Sequence, residues 1–117
     1  MTTEAGTIFL NNTSKLNDRF QQLVKNENVH IKFCRLVHKF DNIAHNYFTL
    51  EVEFNEIESI KAKMFIESIK KKLNAFRIRE VPTDERNLYM CDFDFTEKDF
   101  MSLNVVKSIK MVKKFNL

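Results

Sequence analysis

Four acidic residues alternate along two stretches of the chain, Glu51 and Glu53 in "YFTLEVEFNEIE" (47–58) and Asp92 and Asp94 in "LYMCDFDFTEKD" (88–99). Carboxylates two residues apart on a strand share one face. Neighbouring strands would gather all four, a set able to hold a metal ion or perform acid–base work. Arg77 and Arg79, if they lie on an adjoining strand, would instead pair with these acids in a solvated face laced by cross-strand ion pairs. That second reading is the expectation, because no histidine is tied to the acids by spacing. His30, His38 and His45 recur at irregular intervals and form no HExxH-type ligand pattern. Cys34 and Cys91 lie far apart with neither CxxC nor Cys/His spacing, which predicts reduced thiols rather than a disulfide or zinc site. The single glycine, Gly6, leaves no Gly-rich loop to cradle phosphate. Nothing places a base beside a serine or cysteine nucleophile. The expectation is a protein that is not an enzyme, with no catalytic residue, metal or cofactor.

The two acidic stretches resemble each other beyond their acids. At an offset of 41 residues, Asn46 falls on Asn87, Val52 on Phe93, Phe54 on Phe95 and Glu56 on Glu97. Phe48, Leu50, Val52 and Phe54 alternate with polar residues, and Tyr89, Cys91, Phe93 and Phe95 repeat the pattern. This is the period-2 mark of strands with one buried face. Asn55 and Thr96 then stand as N-caps, each with an acid three residues on, Glu58 or Asp99. Helical spacing follows through Ala62, Phe65, Ile66, Ile69 and Leu73, and through Met101, Val105, Ile109 and Val112. Upstream of each strand, "VHIKFCRLVHKFD" and "FRIREV" read as partners, the second joined to its strand through the turn "PTDER". The first also fits helical spacing through Phe33, Leu36, Val37, Phe40 and Ile43; the internal repeat decides for a strand.

With a helix over "TSKLNDRFQQLVKN" (13–26), the order becomes α-ββα-ββα with an internal ββα duplication. The implied fold is α+β, a four-stranded antiparallel sheet with two helices on one face. The order of elements resembles a permuted ferredoxin-like sandwich, and strands 47–54 and 88–95 should lie side by side at its centre. The outer strands leave edges that could pair with a second copy into a homodimer. Residues 1–13 are expected to be a disordered tail and 14–117 a single domain. LAGLIDADG homing endonucleases share the element order, but the helix here has no glycine and the likeness ends there.

Lysines supply the second candidate surface. Lys70 and Lys71 with Lys107, Lys110, Lys113 and Lys114 could form a basic helix face that meets nucleic-acid phosphates. Helix lysines also serve solubility, and no exposed aromatic is evident among them to stack a base.

One stretch points to a protein partner. "SKLNDRFQQLVKN" (14–26) is similar to the short helicase-binding motif of mRNA-export adaptors of the TREX complex, through Leu16, Asn17, Asp18, Arg19, Phe20, Leu23, Lys25 and Asn26. The resemblance implies docking on a DEAD-box RNA helicase by this helix. The competing reading packs Leu16, Phe20 and Leu23 on the domain's own core.

Composition sets the outer bounds. The 117 residues carry a net charge of +3, with 44% apolar and 30% charged residues, as one globular domain would. Twelve Phe and no Trp predict a phenylalanine-built core. The opening residues lack the basic and apolar regions of a signal peptide, and no run approaches the roughly 20 apolar residues of a membrane span. The expected location is nuclear or cytoplasmic, away from membranes. The functional expectation is a protein-interaction adaptor, with a nucleic-acid-binding module as the alternative.

Overall fold

The alternating stretches become the two central strands of one sheet. The computed structural model describes residues 13–25, 29–40 and 46–107. Its elements are helix α1 (Thr13–Val24), strands β1 (His30–Phe40) and β2 (Asn46–Asn55), helix α2 (Ser59–Leu73), strands β3 (Arg77–Val81) and β4 (Leu88–Thr96), and helices α3 (Glu97–Ser102) and α4 (Asn104–Lys107). All strand pairs are antiparallel, in the order β1-β2-β4-β3. The strand–strand–helix order thus occurs twice, and the α+β architecture is the one expected, compatible with a permuted ferredoxin-like arrangement. The "VHIKFCRLVHKF" segment is a strand, not a helix. Of the expected N-terminal tail, residues 1–12 lie outside the described residues, as do Asn26, Ile109 and Val112.

Alternation puts Phe48, Leu50, Val52 and Phe54 of β2 beside Cys91, Phe93 and Phe95 of β4, all buried. The helices cover that face. α2 contributes Ala62, Phe65, Ile66, Ile69 and Leu73, all five positions that the helical spacing selects. α1 contributes fully buried Leu16, Phe20 and Val24, with Leu23 packed at the margin. The Phe20 ring lies 6.1 Å from that of Phe95, and Phe48 stacks on Phe100 at 3.8 Å. The Asn17 carboxamide oxygen accepts from the Leu36 backbone N–H at 2.9 Å. That donor faces away from β2, so α1 also shields part of the β1 edge that pairing with a second copy would use.

Two helix boundaries differ from expectation. Asn55 is not an N-cap: it ends β2, and α2 begins at Ser59 behind Glu58, whose side chain makes no cap bond. The strand wins here because Asn55 pairs with both His30 and Leu88. Thr96 does cap α3, accepting from the Asp99 N–H at 3.1 Å. The final helix is not continuous, since Leu103 is extended (φ −71, ψ 135) and divides α3 from α4. Phe100 and Val106 are both fully buried. On one unbroken helix they would project about 120° apart, so the break lets both reach the core. Met101 and Val105, expected on the buried face, pack at its margin. α2 ends on Asn74 in the left-handed region (φ 53), its N–H directed to Lys70 O and Lys71 O.

Two measurements test this packing. Phe20→Ala should cost about 3–5 kcal/mol in a urea-denaturation series, as truncation of a buried phenylalanine does. Cys34 and Cys91 flank Val52 on the core face, about two strand spacings (roughly 10 Å) apart, too far for a disulfide. Burial pushes both thiols up to about 12. Neither should react with a thiol reagent at pH 8 until the chain is unfolded, when both should.

Candidate functional site

The face of the sheet away from the helices carries the polar partners of the alternation. Its rows run Lys39–Tyr47–Thr96, Val37–Thr49–Asp94–Arg77, Arg35–Glu51–Asp92–Arg79 and Phe33–Glu53–Met90–Val81. A bulge between Ile31 and Phe33 turns Ile31 to the core while Phe33 stays on this open face. The outer strands supply the cations and the inner strands the acids. The four carboxylates named by their spacing are therefore brought together, with both expected arginines beside them.

Asp94 is the centre. It is fully buried although it lies on the open face. Its Oδ1 accepts from the Thr49 hydroxyl at 2.6 Å and from Arg79 Nη2 at 2.8 Å. Its Oδ2 accepts from Arg77 Nε and, at 3.0 Å, from Arg79 Nε. Burial alone would raise its pKa, but the bonds from Arg79, Thr49 and Arg77 together outweigh that and hold the carboxyl below its ordinary value. Asp92 is shifted the other way, raised first by burial and further by Glu51 and Asp94, against the opposing charges of Arg79 and Lys39. Glu51 receives Arg35 through Nε at 2.9 Å and Nη2 at 2.8 Å.

Each arginine lies outside the acid it binds. The side chains of Arg35, Arg77 and Arg79 are 55%, 48% and 40% exposed, against 24% for Glu51, 18% for Asp92 and 0% for Asp94. A ligand approaching this face meets guanidinium groups with Glu51, Asp92 and Asp94 underneath, while Glu53, beside Phe33, has no arginine partner among the described residues. Aromatic rings stand among them. The Arg77 guanidinium carbon is 5.3 Å from the Phe76 ring centre and 5.8 Å from that of Tyr47, and these two rings meet edge-on at 6.0 Å. Arg35 lies 5.9 Å from the Phe33 ring. All three contacts are within cation–π reach, and Phe33 and Phe76 are exposed. Among the described residues nothing bonds the two Nη groups of Arg77.

The other expected site residues are dispersed. Leu16, Asn17 and Phe20 are occupied inside the domain, Leu23 is half-buried, and Asp18 and Arg19 are exposed on α1. Lys70 and Lys71 are exposed on the last turn of α2 and Lys107 on α4, while Lys110, Lys113 and Lys114 lie outside the described residues. A cleft of about 430 Å³ opens between the end of α1 and the start of β1, beside Gln21, Lys25, His30 and Lys32. Val29, Ile31, Phe33 and Cys34 complete a lining of mixed polarity that gathers no reactive set. Large apolar side chains Ile57, Ile60 and Met64 are exposed on and just before α2. Among the described residues no group of three His, Cys, Asp or Glu is placed to hold a metal ion, and no helix is long and apolar enough to cross a membrane.

The aromatic half of the open face escapes the sequence reading. Phe76 precedes β3, and its ring counts as core in any pattern that treats every phenylalanine as buried. The available signal was "FRIR", an aromatic followed by alternating arginines at a strand start. Comparisons with protein-family models, curated proteins and solved structures return no match for the chain.

The depressed Asp94 carboxyl has a pH consequence. Its stabilisation is fully present above the ordinary carboxylate pKa of about 3.9 and is lost as pH falls through the lower folded-state value. Asp94→Asn should therefore destabilise the fold by about 2–4 kcal/mol near pH 7, by leaving Arg77 without a carboxylate and Arg79 with only its longer contact to Asp92. The difference from the unaltered protein should shrink below about pH 3, as read from denaturation midpoints across pH.

Proposed function

We propose that the protein is a non-enzymatic interaction module that holds an anionic partner on the open face of its sheet. The observation that carries this reading is the layering of charge, with three arginines outermost over acids that are half or fully buried. An arginine whose Nε is pinned by a carboxylate keeps its outer N–H groups oriented, so less freedom is lost when an anion arrives. The same bonding argues against acid–base catalysis there. Asp94 has three partners, and Glu51 and Asp92 are each engaged by an arginine.

The adaptor reading through α1 is less well supported by the geometry. A helicase that reads Leu16 and Phe20 would have to lift α1 from the sheet and uncover Phe95 and Phe100. The lysine-rich helix face remains the rival for an anionic partner, through Lys70, Lys71 and Lys107.

Affinity for immobilised heparin, used only as a generic polyanion, separates the two surfaces. Arg35→Ala with Arg77→Ala removes the same formal charge as Lys70→Ala with Lys71→Ala. The arginine pair should lower the salt concentration of elution clearly more than the lysine pair. The reverse order would move the working surface to the helices.

A further inference from the structure

We infer that the partner of the open face is single-stranded nucleic acid, its bases stacked on Phe76 and Phe33 and its phosphates met by Arg77 and Arg35. The inference rests on the open face being the working surface and adds the chemistry of what it holds.

The arginines on this face do not stand alone. Arg77 sits within 6 Å of two rings, Phe76 and Tyr47, and Arg35 within 6 Å of Phe33. Each is an exposed ring beside a guanidinium on a half-exposed side chain. Strand geometry separates the two places by about 20 Å, two rows along and three strands across. Single-stranded nucleic acid is the polymer that presents π faces and anions in alternation at this scale, and open four-stranded sheets with exposed rings suit it. An acidic peptide would satisfy the arginines and leave the exposed rings unused. Duplex bases are stacked on one another and cannot reach a flat sheet.

Charge balance shapes how it would bind. Each guanidinium is largely neutralised by the acid beneath it, so long-range attraction is weak and affinity depends on contact. Two phosphate contacts, at Arg35 and Arg77, predict a salt slope of about −1.4 on a log–log plot, shallow for a nucleic-acid binder, while Arg79 is taken up by Asp94 and Asp92. Binding through the lysines would not depend on the rings at all.

The test is fluorescence anisotropy with labelled 12-nucleotide homopolymers, as single-stranded RNA and DNA, beside a 12-base-pair duplex and a poly-glutamate peptide. Phe76→Ala and Phe33→Ala leave the net charge unchanged and alter exposed side chains. Each should weaken oligonucleotide binding roughly five- to hundredfold, the effect of losing one stacked base. Heparin elution should not move, and Lys70→Ala with Lys71→Ala should leave oligonucleotide binding intact. The RNA and DNA arms decide which single strand is preferred, and binding of either with this dependence supports the inference. Equal binding of the duplex, no binding of either single strand, or affinity indifferent to both phenylalanines would overturn it. Arginine-dependent binding of poly-glutamate alone would also overturn it, while leaving the anion-holding role of the face in place.

Discussion

A carboxylate removed from water on the wet side of a sheet is costly unless every lone pair finds a donor, and Asp94 meets that condition with three residues from two other strands. Thr49 reaches it from β2, and Arg77 and Arg79 from β3. The bonds tie the five-residue strand β3 to the sheet centre, where β4 is its one strand partner among the described residues. They also fix the direction of two arginines. Charge-assisted bonds of this kind are among the stronger ones in proteins, so the arginines are held before any ligand arrives. The outward direction of Arg77 and Arg79 follows from this single buried group, and that of Arg35 from Glu51.

That arrangement depends on the opposite side of the same strands. Thr49 and Asp94 sit on the open face because Phe48, Leu50, Phe93 and Phe95 point to the helices. A slip of one residue would send the phenylalanines to solvent and the acids to the core. The rings of Phe20, Phe48, Phe95 and Phe100 hold the register by stacking between α1, the sheet and α3. α1 therefore serves the open face indirectly, since it closes the core that keeps the acids outside. The likeness of residues 14–26 to a docking motif runs into the same fact. Leu16 and Phe20 cannot be offered to a partner and complete this core at once.

Much of this was readable from residue pattern. Strict alternation placed β2 and β4, and the spacing in α2 selected all five of its buried residues, because each pattern has one solution that hides its apolar side. The carboxylates with Arg77 and Arg79 were legible for the same reason, but Arg35, the partner of Glu51, was not. What escaped depends on contacts distant in sequence. Asn55 has the chemistry of a cap, but two strand partners claim it. Helical spacing runs through Leu103, yet two buried residues on different sides of the helix require a break there. Phe33 lies on the open face by the plain alternation of β1, which the competing helical spacing of that segment obscured, and exposure of Phe76 follows from the start of β3, which leaves no periodic trace.

In this proposal Asp94 and Glu51 hold arginines outward beside exposed rings, and a single strand lies across that layer. An amide- and side-chain-resolved NMR titration with a single-stranded oligonucleotide addresses it most directly. Saturating shifts are expected at the Arg35 and Arg77 Nε–H signals and at the rings of Phe33, Tyr47 and Phe76. Amides of α2 around Lys70 and Lys71 should stay in place. Shifts confined to the helix lysines, with the sheet-face rings unmoved, would contradict it.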